Sequence, residues 1–508
     1  MASNKRIAKN TLTLYFRQIL ILFVSLFTIR IVLDKLGVED YGIYNVVAGV
    51  VALFSFLSGA MASATQRFFS FALGKNDFKS LRETFTVNIF IYAAIALIAL
   101  LLLETIGLWF VHNRLEVPPE RLEAVKVIYH FSVLSFIATI FTSPFLAIII
   151  AHEDMKLYAY VSIFESIMKL VIVYLLSYLA FDKLKLYSFL VMSVSIMIAS
   201  IYVIICTRRY SECQFKKLYW NKKLLSEIIN FTGWTLFGRV TTVMRIQAIT
   251  ILLNQVFNPI VVAARAIAIN ITSKVNIFSN NFNVGLYPPI VKSYANDNKK
   301  EMFDLIFNGS KITFFLMWVF ALPFFLEMEN ILNLWLKNPP QQAVLFTRLA
   351  LIEVLIDSIS LPLTTAARAP GRMKGYELRL GSIQIAIFLS CWIFLKLDFP
   401  AYTVFWIAIV GNILMFLFRL IIVRGLIDLP VRSFLIEVFL PVIKVAFASA
   451  ILSFCIHIIL PENIFTLIFS IGLSIILSLI SMYYLGLNSV WRAKSKNFVL
   501  QKIKKNRG

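Results

Sequence analysis

Long apolar segments separated by short polar ones recur along almost the whole chain. A helix that crosses the hydrocarbon core of a bilayer needs roughly 20 mostly apolar residues, so the pattern predicts about fourteen such helices. The predicted spans are 12–33, 42–72, 84–110, 124–150, 157–180 and 186–207 in the first half, and 227–254, 259–290, 303–336, 344–367, 376–396, 401–424, 434–460 and 464–486 in the second. The pattern therefore predicts an all-α integral membrane protein.

Composition agrees with this prediction. The 508 residues are 59% hydrophobic and 15% charged, with a mean hydropathy of +0.81, outside the usual balance of a soluble chain. The formal net charge of +22 would suggest a nucleic-acid partner in a soluble protein, but no nucleic-acid-binding motif accompanies it. Basic residues also mark the cytoplasmic loops of membrane proteins, so we expect no nucleic-acid partner.

The cysteines and histidines are scattered. The four cysteines form no CxxC pair, and the four histidines follow no metal-ligand spacing. We expect no disulfide framework, no metal and no cofactor. The chain also has no phosphate-binding glycine loop, HExxH or GxSxG motif, so it is not expected to be an enzyme.

A basic stretch from Arg208 to Lys223 separates two groups of spans. Leucines and aromatic residues interleave with its lysines, which is typical of a segment lying on a membrane surface. The predicted organisation is a six-helix lobe at 1–209, an interfacial cytoplasmic linker at 210–225, a second six-helix lobe at 226–426, two additional transmembrane helices at 427–490 and a basic cytoplasmic tail at 491–508. A short internal echo, Ser70–Asp77 against Ser293–Asn298, is compatible with two related halves.

Lysine and arginine collect in alternate loops. About thirty basic residues fall on one side of the predicted membrane and about seven on the other, which predicts that both termini are cytoplasmic. The segments near Glu116 and Glu329 are then expected on the outer side.

Charges within the predicted spans are the candidates for function, because an ion at the centre of a spanning helix costs at least about 2.5 kcal/mol. They are mostly basic: Arg17, Arg30, Arg67, Lys169, Arg239, Arg245, Arg265 and Lys274, against Glu165, Glu353 and Asp357. Glu165 and Lys169 are four residues apart and are expected to form an ion pair within their helix. Arg17, Arg30 and Arg67 lie near span ends, so snorkelling to the interface is an equal alternative for them.

Two spans carry polar stripes. At about 100° per residue, five side chains of the eighth span fall within about 40° of one line: Arg265, Thr272, Asn276, Ser279 and Asn283. In the seventh span, Arg239 shares a face with Thr232, Thr235 and Thr250, whereas Arg245 lies off that face and Lys274 lies opposite Arg265. Because such stripes cannot face lipid, we predict a solvated cavity and substrate-binding roles for Arg239, Arg265, Thr272 and Asn276. Arg67, a basic residue of the second span, is the fifth predicted substrate-binding residue.

Two segments carry a family resemblance. Leu36-Gly37-Val38-Glu39-Asp40-Tyr41-Gly42-Ile43-Tyr44 and Ala64-Thr65-Gln66-Arg67-Phe68 resemble bacterial polysaccharide biosynthesis proteins. These are the O-antigen flippases of the Wzx type, in the multidrug/oligosaccharidyl-lipid/polysaccharide exporter superfamily. The resemblance implies a multidrug-extruder-like fold, two six-helix lobes around a central cavity with two further C-terminal helices.

The same resemblance implies a function. The protein would carry an undecaprenyl-diphosphate-linked oligosaccharide from the inner to the outer leaflet of the bacterial inner membrane by alternating access. Its partners would be that lipid-linked sugar, membrane lipids and polysaccharide assembly proteins. The arginines of the spans fit this substrate, because a guanidinium binds diphosphate oxygens through forked hydrogen bonds.

Two other functions stay open. A drug or cation extruder of the same fold is expected to have acidic residues in its cavity, because they attract cations. The charged residues within the predicted spans of this sequence are mainly basic. A membrane polysaccharide polymerase or ligase would be expected to expose a long outer loop with its catalytic groups, whereas the predicted outer loops are short.

Overall fold

The computed structural model describes residues 2–52, 54–114, 119–179, 181–215, 219–257, 259–336, 339–459, 463–487 and 492. Three predictions fall wholly or partly outside these residues: the outer position of Glu116, the centre of the basic linker at 216–218, and the cytoplasmic tail apart from Arg492.

Every regular element in the described part of the chain is helical, and each predicted span from the third onward corresponds to one helix. The helices of the first half are α1 (Ala2–Ala52), α2 (Ser55–Gly74), α3 (Phe78–Leu102, prolonged through a π-turn at Leu103–Gly107 to Leu108–Arg114), α4 (Leu122–Ala151), α5 (Met155–Tyr178) and α6 (Lys183–Arg209). Those of the second half are α7 (Lys222–Val256), α8 (Pro259–Ala295), α9 (Lys299–Trp335), α10 (Ala343–Arg368), α11 (Lys374–Lys396), α12 (Thr403–Ile427), α13 (Val431–Phe434, a π-turn at Leu435–Phe439, then Leu440–Ile459) and α14 (Ile464–Ser481).

Eleven of the described helices are long and apolar enough to cross a membrane. The other three helices, α1, α2 and α10, are not among these eleven. The predicted all-α, multi-pass fold is confirmed.

The first two predicted spans are divided differently in the structure. Gly37 has φ 80° and ψ 167°, which breaks α1 into two helical parts, and α1 then ends at Ala52 inside the predicted span 42–72. A positive φ is open to glycine because it lacks a Cβ. The sequence between the end of α1 at Ala52 and the start of α2 at Ser55 contains no proline and no polar cluster, so hydrophobicity alone predicted one span across two helices.

The chain forms two compact units. Unit 1 contains residues 1–240 with 287–298 and 371–374, and unit 2 contains 241–286, 299–370 and 375–508. In unit 1, α4 packs against α2 and α6 around buried apolar side chains such as Phe69, Phe85, Phe145 and Ile148. In unit 2, α10 packs between α9 and α12, while α13 and α14 pack against α9. The sequence-based division into lobes, linker and C-terminal pair stays a prediction.

The two similar segments, Ser70–Asp77 and Ser293–Asn298, end α2 and α8 in the same way. Asn76 and Asp297 both have φ 53°. The amide of Asp77 donates to the carbonyl of Ala72 (3.0 Å), and that of Asn298 to Ser293 (2.9 Å). This six-residue closure is a Schellman motif, which satisfies carbonyls at a helix end. Because Glu153 and Asp398 also take positive φ values at helix ends, the motif alone does not establish a repeat.

Candidate functional site

A cavity of about 160 Å³ lies inside unit 2, among helices α7, α8, α10 and α12. Its polar lining consists of Arg245 from α7, Arg265 and Thr272 from α8, and Glu353 from α10; isoleucine, valine, alanine and phenylalanine side chains complete it. Arg265 and Thr272 are seven residues apart, close to two helical turns, so they face the cavity from one side of α8.

Glu353 is held by two donors. Arg245 Nη2 donates to Glu353 Oε1 at 3.2 Å, and Asn412 Nδ2 of α12 donates to the same oxygen at 3.0 Å. The Arg245 side chain is 10% exposed and that of Glu353 is 20% exposed, so this ion pair is largely withdrawn from the surface. Its two charges compensate each other.

Arg265 is the second cation of the cavity. The residue is 7% exposed, and its Nη1 donates to Thr250 Oγ1 of α7. Threonine carries no charge, so with an ionised Glu353 the cavity bears two guanidinium groups and one carboxylate. In a poorly solvated interior, this excess positive charge favours an anion. The Nε of Arg245 is also buried without a hydrogen-bond partner among the described residues.

The other predicted residues of α8 differ from Arg265. Thr272 lines the cavity, and its hydroxyl donates to the carbonyl of Ala268 (2.9 Å) in its own helix. Asn276 lies one turn further on and is not part of the cavity lining, although its Oδ1 is buried without a described partner. Ser279 donates to the carbonyl of Thr313 (2.8 Å), so this end of the stripe packs against α9. The stripe thus faces the cavity at one end and a helix at the other.

Arg67 and Arg239 belong to unit 1. Arg239 Nη2 donates to Ser63 Oγ at 3.4 Å, and a Cβ at Gly59 would lie 2.9 Å from Arg239 Nη1. Arg67 is 8% exposed, and its guanidinium carbon lies 4.5 Å from the ring centre of Phe68. These two arginines therefore meet residues of unit 1, and the structure does not gather all the predicted residues into one described cavity.

Three other intramembrane charges have clear positions. Lys169 Nζ lies 2.6 Å from Glu165 Oε1, which confirms the predicted ion pair within α5. Arg17 is 6% exposed, and its guanidinium carbon lies 4.2 Å from the ring centre of Tyr158, so it packs against residues of unit 1. The side chain of Arg30 lies outside the described part of the chain.

Sequence reasoning missed several polar residues. Arg245 was set aside because it lies off the stripe of α7, yet it lines the cavity and binds Glu353. Asn412 and Arg419 of α12 were not singled out; Arg419 is 7% exposed, and its Nε donates to the hydroxyl of Tyr376 at 3.0 Å. A charge in the middle of an apolar span was the available signal for Arg419. Asn412 carried a weaker signal of the same kind, because an amide side chain within an apolar span usually hydrogen-bonds to a neighbouring helix.

The fold defines a class of protein: a polytopic helical membrane protein with the architecture of MATE transporters. The family model described as MatE matches residues 14–175, which is less than half of the chain. No curated protein sequence matches the chain significantly.

Solved structures extend the likeness to most of the chain. A multidrug resistance MATE family transporter of the MOP superfamily, in an outward-facing conformation, has a TM-score of 0.72 at 14% identity and covers 84% of this chain and 96% of its own. A MATE structure in a straight conformation gives 0.71 at 13% identity, with 84% and 97% covered. A mutant of a Vibrio cholerae MATE transporter gives 0.64 at 16% identity, with 84% and 97% covered. At such identities the likeness establishes the fold and leaves the substrate open.

Proposed function

We propose that this protein is a flippase that moves an undecaprenyl-diphosphate-linked oligosaccharide, an O-antigen, capsule or exopolysaccharide repeat unit, from the inner to the outer leaflet of the bacterial inner membrane. The observation that carries the proposal is the unit 2 cavity, where Arg265 adds a buried cation to the already paired Arg245 and Glu353. The transporter-type fold supports movement of a substrate across the membrane by alternating access.

The chemistry of the cavity suits a diphosphate. A guanidinium presents donors in a planar fork that matches phosphate oxygens, and such charge-assisted hydrogen bonds are roughly twice as strong as neutral ones. Pockets that enclose whole drug-sized ligands measure about 300–1,000 Å³. A cavity of about 160 Å³ therefore suits the charged head of a lipid-linked sugar, while the polyprenyl tail remains in lipid.

A multidrug or cation extruder is the second candidate, and the likeness to a multidrug resistance transporter favours it. Such a protein needs an acceptor for a cation. In the unit 2 cavity, Glu353 already accepts hydrogen bonds from Arg245 and Asn412, so the cavity offers no uncompensated carboxylate. This charge balance is the reason for preferring the flippase. A membrane polysaccharide polymerase or ligase is the least favoured candidate.

Deleting the gene and identifying the accumulated lipid tests the proposal in cells. A flippase deletion should leave undecaprenyl-diphosphate-linked sugar on the inner leaflet, out of reach of a reagent that cannot cross the membrane. Accumulation on the outer leaflet would point to a polymerase or ligase. Unchanged lipid intermediates, together with increased sensitivity to cationic drugs, would favour the extruder.

A further inference from the structure

The Arg245 guanidinium in the unit 2 cavity is only partly used by its partner. Its Nη2 donates to Glu353 Oε1 at 3.2 Å, longer than the about 2.7–2.9 Å of a strong charge-assisted hydrogen bond. Its Nε is buried and has no hydrogen-bond partner among the described residues, and the side chain is only 10% exposed. Glu353 therefore binds Arg245 through one long hydrogen bond and leaves a neighbouring donor unsatisfied.

The unsatisfied Nε lies beside the Nη groups of the same planar guanidinium. Adjacent N–H donors of this kind form a fork that matches the oxygens of a phosphate or a carboxylate. A buried donor without a partner costs the free energy of its lost hydration, so an anion that accepted from both donors would remove that cost. The fork of Arg245 therefore fits a further anion better than it fits Glu353 as placed.

Arg265 supplies a second cation to the same cavity. Its Nη1 donates to the uncharged Thr250, and the residue is 7% exposed. Arg245 and Arg265 both line a volume of about 160 Å³, whereas one water occupies about 30 Å³ in the liquid. The cavity therefore has room for a group of a few water volumes, such as a phosphate.

Glu353 keeps a donor of its own when Arg245 turns to another anion. Asn412 of α12 donates to the same Glu353 oxygen at 3.0 Å, and Asn412 is 7% exposed. The Glu353 side chain is 20% exposed, so water reaches part of it. The pair of Arg245 and Glu353 can therefore open at a smaller cost than a fully buried ion pair.

We propose that Arg245 is a second phosphate ligand and that Glu353 competes with the substrate for it. In the empty cavity, Glu353 holds Arg245 by one hydrogen bond. A phosphate group of the substrate takes the fork of Arg245, while repulsion between the two like charges leaves Glu353 with Asn412. When the substrate departs, Glu353 pairs with Arg245 again. This inference rests on the proposed function and deepens it, because it names the two groups that set how tightly the diphosphate is held.

Calorimetric titration of inorganic pyrophosphate into the full chain in nanodiscs, at constant ionic strength, tests the competition. Glu353→Gln keeps a hydrogen-bond acceptor but removes the competing charge, so it should bind pyrophosphate about tenfold more tightly than the wild type. Arg245→Gln combined with Glu353→Gln removes the fork as well as the competitor, and should bind no more tightly than the wild type. An unchanged affinity in Glu353→Gln, or a gain that persists in the double substitution, would overturn the proposal.

Asp357 provides the matched control on the same helix. It lies about one turn after Glu353 on α10, and its side chain is 44% exposed, with Oδ1 3.7 Å from Arg419 Nη1. Asp357 is not part of the cavity lining, so Asp357→Asn removes an equal charge outside the cavity and should bind pyrophosphate like the wild type. Equal gains in Asp357→Asn and Glu353→Gln would reduce the effect to net charge and refute the competition. The absence of pyrophosphate binding in both the wild type and Glu353→Gln would refute it as well.

Glu353→Asp covers the case in which Glu353→Gln does not accumulate in the membrane. It keeps the charge but shortens the side chain by one methylene, which weakens the contact with Arg245, so pyrophosphate affinity should rise about threefold. An unchanged or lower affinity would contradict the competition.

The exchange of a lipid-linked sugar between leaflets tests the flippase separately. Tighter pyrophosphate binding by Glu353→Gln, in a protein whose wild type does not move the lipid-linked sugar, would refute the flippase and keep the competition. Normal lipid exchange with an unchanged pyrophosphate affinity in Glu353→Gln would do the opposite.

Discussion

Arg245 and Arg265 line the same cavity but have different hydrogen-bond partners. Arg245 is a partner of Glu353, whereas the hydrogen bond of Arg265 goes to the uncharged Thr250. Removing Arg265 leaves Glu353 with both of its donors, whereas removing Arg245 leaves it with Asn412 alone. The two substitutions should therefore separate substrate binding from stability.

Arg265→Ala should lower polysaccharide export by about ten- to hundredfold, because hydrogen bonds to charged groups contribute about 1.5–3 kcal/mol. Membrane abundance should stay close to normal, and Arg265→Lys should restore export only partly, since it keeps the charge but loses the planar fork. Lys274→Ala, on an exposed position of the same helix, is the matched control and should export normally. Normal export by Arg265→Ala, or its disappearance from the membrane, contradicts the assignment.

Arg245→Gln should lower the melting temperature measured in detergent. Breaking a fully buried ion pair costs about 3–5 kcal/mol, and the cost here should be smaller because the Glu353 side chain is 20% exposed. The double substitution Arg245→Gln with Glu353→Gln removes both charges and should recover most of the loss. A double variant as unstable as Arg245→Gln alone would show that the pair is not what Arg245 stabilises.

Residue positions could be predicted only in part from the sequence. Arg265 and Thr272 were found because helical periodicity places them on one line, and the cavity contains both. Arg245 was missed because a helical wheel describes one helix and cannot show which neighbours surround it. Glu353 was recognised as an intramembrane charge, but its pairing with α7 and α12 depends on packing that no local pattern encodes.

The helices themselves were far easier to predict than their contacts. The length of a spanning helix is fixed by bilayer thickness, and each predicted span from the third onward corresponds to one helix in the structure. The breaks at Gly37 and Glu327 were not predicted. The break at Glu327 lies where Ser470 and His457 of two other helices contact its carboxylate, a tertiary arrangement that no local pattern encodes.

The turn between α10 and α11 offers a test at this scale. Gly371 has φ +81°, and a Cβ there would lie 2.8 Å from Arg67 Nη2. Gly371→Ala should therefore destabilise the protein by about 1–3 kcal/mol, seen as a lower melting temperature in detergent. Gly375 has no atom within 4 Å of its would-be Cβ, so Gly375→Ala should leave the melting temperature unchanged or slightly higher. Equal effects of the two substitutions would mean that the contact with Arg67 and the positive φ are unimportant.

At the scale of the whole molecule, the fold is known and the orientation in the membrane is a proposal. The asymmetry of Lys and Arg between alternate loops predicts that both termini are cytoplasmic. In a background where the exposed Cys455 is replaced by serine, Lys223→Cys should react with an impermeant thiol reagent only after the cells are opened, while Glu120→Cys should react in intact cells. The reverse pattern would invert the topology and with it the direction of transport.

The direct test of the flippase is reconstitution. Purified protein in liposomes that contain a polyprenyl-diphosphate-linked sugar should speed the exchange of that sugar between leaflets, followed by the fraction that an impermeant reagent reaches from outside. The wild type should exceed both protein-free liposomes and Arg265→Ala, and it should not drive uptake of a cationic dye. Ion-gradient-driven transport of the dye, with lipid exchange no faster than in protein-free liposomes, would contradict the account and identify the protein as an extruder.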